Sequence, residues 1–245
     1  MKGIVFENVS FQYSQGTKEI DSVSISIPKG SFCGITGVNG SGKTTLSLMM
    51  NGLIPHHVEG VFSGNICVDE VNTRSKPVSF FSRKVGMVFQ NPDFMIFNLT
   101  VEEEIAFGLS NLGMDKIAER TARALSLVGL EGFEKRDPHT LSFGQKQKLC
   151  LAVVLAMETD YIILDEPSAM LDYKSSIHLY TILADLHKKG KTIIIVEHDT
   201  DYLYSFTSQI IVLNKGKIEL EGDTETVFEN KALLKQLGIK IPRKI

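Results

Sequence analysis

The stretch Gly37-Val38-Asn39-Gly40-Ser41-Gly42-Lys43-Thr44 decides the fold of this 245-residue chain. It follows a short apolar segment, Phe32–Thr36, and residues 44–50 after it carry apolar side chains at helical spacing. Glycines in such a loop let backbone N–H groups turn inward around an anion, and the helix dipole adds positive potential. The sequence therefore predicts a phosphate-binding loop between a strand and a helix of an α/β protein.

Other segments predict the sheets around this loop. Tyr161–Leu164 and Thr192–Val196 are apolar without alternation, a pattern typical of strands buried on both faces of a parallel sheet. Residues 3–30 instead alternate between apolar and polar side chains and are interrupted by turn-like segments, which predicts an antiparallel β-layer. We expect an α/β core with a mainly parallel sheet and this layer at the N-terminal side.

Helical signals lie between these parts. Thr100 and Glu103 form a potential capping box, and the acidic run 102–104 suits a solvated first turn at the positive helix end. Residues 115–128 have helical apolar spacing and are followed by Gly129, a suitable C-cap. We therefore expect a helical insertion within the α/β core.

The whole chain is predicted to be one domain. Residues 1–90 and 155–245 form the β-layer, the core and a C-terminal tail, and residues 91–154 form the helical part. Within that part, the apolar run 94–97 suits either docking of a membrane-protein helix or core packing.

Composition narrows the classes of protein. A net charge of −3 gives no electrostatic reason for a nucleic-acid partner. Cys33, Cys67 and Cys150 are isolated in sequence, which argues against a disulfide framework or a zinc site.

No apolar run approaches the ~20 residues that a membrane span requires, and the first residues do not form a signal peptide. We expect a soluble protein whose membrane role, if any, is through a partner.

Two adjacent acids end one buried segment. Asp165 and Glu166 follow Ile162-Ile163-Leu164, so their carboxylates would project at the sheet edge where ligands of open α/β sheets bind. Two such carboxylates are costly to bury without a cation. We expect Asp165 to hold Mg²⁺ through water and Glu166 to act as general base on the attacking water. Lys43 would reach the β- and γ-phosphates, and the Thr44 hydroxyl would bind Mg²⁺.

A third motif, Leu141-Ser142-Phe143-Gly144-Gln145-Lys146-Gln147-Lys148, lies between the loop and the acidic pair. Taken alone, Ser142 and Gln145 fit a capping box that opens a helix. In this order, however, the three motifs resemble the Walker A, signature and Walker B elements of an ABC-type ATPase. Phe143 stands where that family usually has the first of two glycines.

This resemblance implies a P-loop NTPase fold with a RecA-like core, an N-terminal antiparallel β-layer and a helical ABC subdomain. It also implies ATP and Mg²⁺ as ligands. Catalytic roles fall on Glu166, His198, Gln90 and Lys43, and Mg²⁺ contacts on Thr44, Gln90 and Asp165. Nucleotide contacts fall on Tyr13, Gly37, Asn39, Gly40, Ser41, Gly42, Lys43, Thr44, Thr45, Ser142, Gly144, Gln145 and Asp172.

Several of these roles come from the resemblance alone. His198 corresponds to the switch histidine, Gln90 to the Q-loop glutamine and Asp172 to the D-loop aspartate, although Tyr173 stands where the family usually has proline. Tyr13 corresponds to the aromatic residue that stacks on adenine, but strands favour tyrosine for packing as well. In this family the signature completes the ATP site of a second subunit, so two subunits close face to face on two ATP molecules.

Three further segments resemble the ATPases of energy-coupling factor importers: residues 88–93, 100–108 and the tail from Gly222 to Pro242. Such ATPases work as homodimers or heterodimers at the cytoplasmic face of the membrane. They bind a transmembrane T component, which carries a substrate-binding S component for a vitamin or a transition-metal ion. The alternatives are another ABC importer or exporter, or an ABC ATPase outside transport. The substrate does not touch the ATPase, so its identity stays open.

Overall fold

The computed structural model describes residues 2–243 and 245. The strands are β1 Gly3–Tyr13, β2 Lys18–Pro28, β3 Phe32–Thr36, β4 Gly60–Val68, β5 Val71–Asn72, β6 Val85–Val88, β7 Tyr161–Asp165, β8 Thr192–Val196, β9 Gln209–Asn214 and β10 Lys217–Asp223. The α-helices are α1 Lys43–Met50, α2 Leu53–His56, α3 Val78–Phe81, α4 Val101–Asn111, α5 Ile117–Val128, α6 Phe143–Ala156, α7 Tyr173–Lys188, α8 Thr200–Phe206, α9 Thr224–Glu229 and α10 Lys231–Gln236.

The larger sheet has the order β10-β9-β3-β8-β7-β6 within the described residues. Strands β9, β3, β8, β7 and β6 pair in parallel, and only β10 is antiparallel to its neighbour. Every residue of β3, β7 and β8 is buried, which confirms the predicted parallel sheet. Because β8 lies between β3 and β7, the loops that follow these three strands meet at one edge of the sheet.

The predicted antiparallel β-layer is confirmed. Strand β1 pairs with β2 on one side and with β4 on the other, and β5 continues the layer from β4. Its apolar side chains, among them Phe6, Phe11 and Ile20, share a buried cluster with Leu46 and Met49 of α1. The layer therefore covers one face of the core and packs directly on the helix that follows the phosphate loop.

The helices of segment 91–154 pack against the other face of the sheet. Residues of α4, α5 and α6 share a second buried cluster with Ile162 and Leu164 of β7. Thr100 caps α4, and Gly129 ends α5 with a φ of 68°, as the sequence predicts. Helix α6 continues to Ala156, so the proposed boundary at residue 154 falls in its last turn. The described part of the chain contains no helix long and apolar enough to span a bilayer.

One prediction in this segment is wrong in part. Glu104 is 3% exposed, so the acidic run 102–104 is not a wholly solvated first turn. Its carboxylate accepts hydrogen bonds from the backbone N–H groups of Phe97 at 2.9 Å and Asn98 at 2.8 Å. A buried carboxylate needs such donors, and the chain before α4 supplies them by folding back over the helix end.

Candidate active site

The phosphate loop joins β3 to α1 at the centre of the parallel sheet. Gly40 and Gly42 have φ angles of 71° and 102°, a left-handed conformation that costs residues with a Cβ more than glycine. A Cβ at Gly42 would also lie 2.8 Å from the carbonyl oxygen of Glu19. The loop thus exposes the N-terminus of α1, where backbone N–H groups and the helix dipole attract an anion.

Lys43, the first residue of α1, is buried beneath this loop. Its Nζ donates hydrogen bonds to the carbonyl oxygens of Gly37 at 3.0 Å and Val38 at 3.1 Å. Burial lowers the pKa of Lys43, and the nearby Glu166 and Asp165 carboxylates act in the opposite direction. The ammonium is therefore fixed inside the loop, where it can exchange carbonyl partners for phosphate oxygens.

Asp165 lies at the end of β7 and is buried. Burial raises the pKa of its carboxyl, and a hydrogen bond from the Thr44 side chain opposes that shift. Its Oδ1 atom has no hydrogen-bond partner among the described residues. An unpartnered buried carboxylate oxygen next to a hydroxyl is costly, and a hard cation with oxygen ligands would satisfy it.

The donor set fits Mg²⁺ in particular. Thr44, Asp165 and Gln90 offer only oxygen donors, which Mg²⁺ prefers, and it usually takes one or two carboxylates together with substrate phosphates. Within residues 2–243 and 245, no group of three or more His, Cys, Asp or Glu side chains forms a metal cage. A site that relies on substrate oxygens does not need one.

Glu166 lies between two predicted catalytic residues. The Gln90 Nε2 donates to Glu166 Oε2 at 2.6 Å, and His198 Nε2 lies 2.8 Å from Glu166 Oε1. The backbone of Glu166 has a φ of 46°, a left-handed conformation that costs a residue with a side chain about 1–3 kcal/mol. Its N–H donates to the carbonyl oxygen of Val196 at 2.9 Å, which ties the strained residue to β8. Glu166 lines the cleft, and a strained backbone held in place by such a bond is typical of functional sites.

Two residues in this region have no role in the predictions from sequence. Glu197 is 3% exposed and accepts hydrogen bonds from the Ser168 N–H at 3.1 Å and from the His198 N–H at 3.2 Å. Its position directly after a buried strand, like that of Glu166, is the signal that could have identified it. Glu19 lines the cleft from β2, and nothing in its sequence context points there.

The loops enclose a cleft of about 420 Å³ beside the phosphate loop. Most of the predicted nucleotide and catalytic residues meet there. The side chains and backbone that line the cleft are those of Glu19, Asn39, Gly40, Ser41, Gly42, Lys43, Thr44, Thr45, Gln90, Glu166 and His198. The volume and the mixture of cations, amides and acids suit the phosphates of a nucleotide.

The signature residues lie elsewhere. Among the described residues, Ser142, Gly144 and Gln145 are not in the lining of this cleft. They open α6, where the Ser142 side chain accepts from the Gln145 N–H at 3.3 Å and Gln145 Oε1 accepts from the Ser142 N–H at 3.0 Å. The predicted capping box is therefore present, and the α6 N-terminus is not part of the cleft beside the chain's own phosphate loop.

The backbone at the unusual signature residue is helical. Phe143 is the first residue of α6 and does not adopt the positive φ that glycine takes more cheaply. The substitution therefore does not strain the chain. The next residue has less space, since a Cβ at Gly144 would lie 3.2 Å from Leu171.

Tyr13 and Asp172 are also outside the cleft lining. The Tyr13 hydroxyl shares a hydrogen bond of 2.9 Å with the Thr45 hydroxyl, which places the tyrosine beside α1, one residue from Thr44. Asp172 caps α7 by accepting from the Ser175 N–H at 2.8 Å, and the hydrogen bonds from Ser175 lower its pKa. Their contacts with nucleotide remain predictions.

Comparisons with known proteins agree with this geometry. Residues 20–169 match the ABC transporter family. The energy-coupling factor transporter ATP-binding protein EcfA of Carboxydothermus hydrogenoformans is 40% identical over 98% of this chain and 87% of its own. The structure of cbiO1 from Clostridium perfringens, part of the ABC transporter complex cbiONQ, superposes with a TM-score of 0.82 at 31% identity, covering 97% of this chain and 94% of that one.

A further solved structure is an ATP-binding cassette in a dimeric, post-hydrolysis state bound to ADP and Pi. It is 28% identical, with a TM-score of 0.81 over 90% of this chain and 98% of its own. The fold, the phosphate loop, the Asp165–Glu166 pair and these likenesses agree with one another. The chain belongs to the ABC transporter family and is an ATP-binding, ATP-hydrolysing subunit of a transporter.

Proposed function

We propose that this chain is the motor subunit of an importer of the energy-coupling factor type. The likeness to EcfA and to cbiO1 supports the importer type. The observation that carries the motor role is a continuous path of contacts. Gln90 binds Glu166 in the cleft, and Asp93, three residues later, forms a 2.7 Å ion pair with Lys146 of α6. The hydrolytic carboxylate is thus linked to both the signature helix and the protein surface.

In this proposal different residues of the cleft bind the phosphates, hold Mg²⁺ and accept the proton of the attacking water. The α1 N-terminus and Lys43 bind the phosphates of ATP, and Thr44, Asp165 and Gln90 hold Mg²⁺, which neutralises phosphate charge when bound. Glu166 accepts the proton of the attacking water. Gln90 and His198, each within 2.8 Å of that carboxylate, orient it, and His198 also contacts the γ-phosphate.

We propose that a second ATPase chain, identical or related, completes the site with its signature residues. The separation of Ser142 from the chain's own cleft supports this, because a capped helix N-terminus is an anion site in its own right. Two chains facing each other would place each α6 N-terminus on the other's nucleotide. ATP then holds the closed pair together, and hydrolysis removes the contact.

Ser142→Asp tests this shared site. Aspartate caps helices as well as serine does, so we expect a melting temperature close to that of the unmodified protein. Its charge would repel the γ-phosphate of the opposite chain, and ATP turnover should fall at least about tenfold. Phe143→Gly is the matched control and should leave turnover within about twofold, because the backbone at 143 is already helical. A Ser142→Asp protein with normal turnover contradicts the shared site.

A surface on the helical segment suits a transmembrane partner. Phe94, Phe97, Leu99 and Phe107 form what we call the phenylalanine patch, and Phe94 and Leu99 are each 82% exposed. An exposed cluster of this kind marks an interaction surface. The buried Glu104 carboxylate accepts hydrogen bonds from the backbone N–H groups of residues 97 and 98, which hold the middle of the patch against α4.

A cavity of about 260 Å³ lies nearby and is lined in part by Phe89, Met95, Val153 and Met157. It is mainly apolar, and the methionine side chains can adapt to an inserted helix. Phe89 precedes Gln90 in sequence, so a helix bound here would be one residue from the group that touches Glu166. We propose that a T component docks at the phenylalanine patch and this cavity.

Replacing Phe94 with Ser should weaken the docking. We expect at least about tenfold less transmembrane protein to be recovered with the tagged chain, because burial of such a side chain contributes about 1.5–3 kcal/mol. ATP turnover of the isolated chain should stay unchanged. Val61→Ser is the matched control, since Val61 is also strongly exposed (72%) but lies on β4. Equal recovery with both variants contradicts docking at the patch.

Purification from native membranes tests the importer type. We expect the tagged chain to bring down a second ATPase chain, one T-type transmembrane protein and a small S-type protein that binds a vitamin or a transition-metal ion. The ATPase would then lie at the cytoplasmic face of the membrane. Recovery with a transmembrane protein that carries its own substrate site would assign the chain to another class of ABC transporter.

A further inference from the structure

The loop that carries His198 is fixed from both sides. On its N-terminal side, the buried Glu197 is held by Ser168, and the Glu197 N–H donates to the Ile35 carbonyl oxygen at 3.0 Å. On the other side, Asp199 and Asp201 flank the start of α8. The Asp199 carboxylate accepts from the Asp201 N–H at 3.0 Å, which brings two negative side chains close together next to the catalytic histidine.

The Lys240 ammonium bridges the two carboxylates of this acidic pair. Lys240 Nζ lies 2.9 Å from Asp199 Oδ1 and 2.6 Å from Asp201 Oδ2. The carbonyl oxygen of Lys240 also accepts from the Thr200 hydroxyl at 3.0 Å, and the Arg243 N–H donates to Asp201 Oδ1 at 2.7 Å. Three consecutive residues after His198 are thus tied to segment 238–243.

The same segment reaches the phosphate loop. Gly238 has a φ of 73°, and a Cβ built there would lie 3.7 Å from Cγ1 of Val38. The next residue, Ile239, packs in the second buried cluster, which also contains Ile162 and Leu164 of β7. Segment 238–243 therefore lies beside the phosphate loop and is bonded to the residues that follow His198.

The charges favour a defined geometry. Burial alone would raise the pKa of Asp201, but the hydrogen bond from Lys240 and the Arg243 N–H outweigh it, so the pKa is lowered. Isolated exposed ion pairs contribute little to stability. A lysine shared by two carboxylates of one short turn mainly fixes the position of that turn. Without the lysine, the two like charges repel each other.

We infer that Lys240 is a positioning residue for ATP hydrolysis, which holds the loop of His198 so that the imidazole meets Glu166. The inference rests on the proposed role of His198. A displacement of the order of 1 Å at a catalytic group is enough to slow a reaction many-fold. The bond between His198 and Glu166 is 2.8 Å, so a small shift of the loop would break it.

Lys240→Met provides the test in the full-length protein with ATP and Mg²⁺. We expect kcat to fall about threefold to tenfold with the KM for ATP within twofold, and Lys240→Arg to restore it. Amide hydrogen exchange in residues 198–203 should become at least about threefold faster. Lys188→Met is the matched control, because Lys188 pairs with Asp185 at 3.2 Å on the exposed face of α7. It should change neither kcat nor the exchange rate of residues 198–203.

A double variant separates positioning from general weakening. If Lys240 acts through His198, Lys240→Met should add no further loss of kcat in a His198→Ala protein. Unchanged kcat and exchange in Lys240→Met, or an equal further loss in the His198→Ala protein, would overturn the inference. Normal turnover of His198→Ala alone would instead refute the proposed role of the histidine.

Discussion

Replacing Glu166 with Gln is expected to reduce ATP turnover by about 10²–10⁴-fold, the usual contribution of a general base. Glutamine keeps the size of the side chain and can accept a hydrogen bond from Gln90 or His198, but it cannot take a proton from water. The phosphate loop is not involved, so affinity for ATP should stay within about threefold. Turnover and ATP binding are measured on the same preparation.

The matched control for this prediction is Glu197→Gln. Glu197 also follows a strand of the parallel sheet, but its carboxylate faces Ser168 and the backbone of His198. We expect a smaller loss of turnover there, accompanied by a lower melting temperature, because a buried hydrogen-bond network is weakened. If Glu166→Gln hydrolyses ATP at the normal rate, Glu166 is not the general base.

Replacing Lys43 with Ala should remove measurable ATP binding. The substitution deletes the only side-chain ammonium in the lining of the cleft, within the described residues. Charge-assisted bonds to phosphate are about twice as strong as neutral ones, and we expect affinity to fall at least about 100-fold. A direct binding measurement, such as calorimetry with ATP and Mg²⁺, gives the result without relying on turnover.

The same substitution has a structural cost that must be separated from binding. The Gly37 and Val38 carbonyl oxygens lose their ammonium partner, which costs about 1–3 kcal/mol of stability. Lys43→Arg is therefore the useful comparison, since it keeps a cation in the loop but changes its shape. Retained ATP affinity in a folded Lys43→Ala protein would contradict the role assigned to the loop.

Much of the core could be predicted from the sequence because its signals are local. A glycine loop between a strand and a helix, and unbroken apolar strands such as Thr192–Val196, each specify their own structure. The meeting of Gln90, Glu166 and His198 follows once the strands are known to be parallel neighbours. The two contacts of Glu166, with Gln90 and with His198, could not be derived from sequence spacing alone.

The features that could not be predicted from the sequence depend on contacts between distant segments. Glu104 belongs to an acidic run that fits a solvated first turn, but the chain before α4 folds back and buries it. Phe143 has a helical backbone because α6 begins at this residue, which the replacement of a usual glycine does not reveal by itself. The link between Lys240 and the loop of His198 joins residues about forty positions apart, which no local pattern reveals.

The mass of the Glu166→Gln protein in solution tests most directly the claim that ATP closes two ATPase chains on each other. The measurement is light scattering after size-exclusion chromatography, with the chain alone and with any second ATPase chain found in native membranes. With ATP and Mg²⁺ we predict a mass of two ATPase chains, and with ADP the mass of one. The same mass with both nucleotides, in either preparation, would contradict closure of two ATPase chains by ATP.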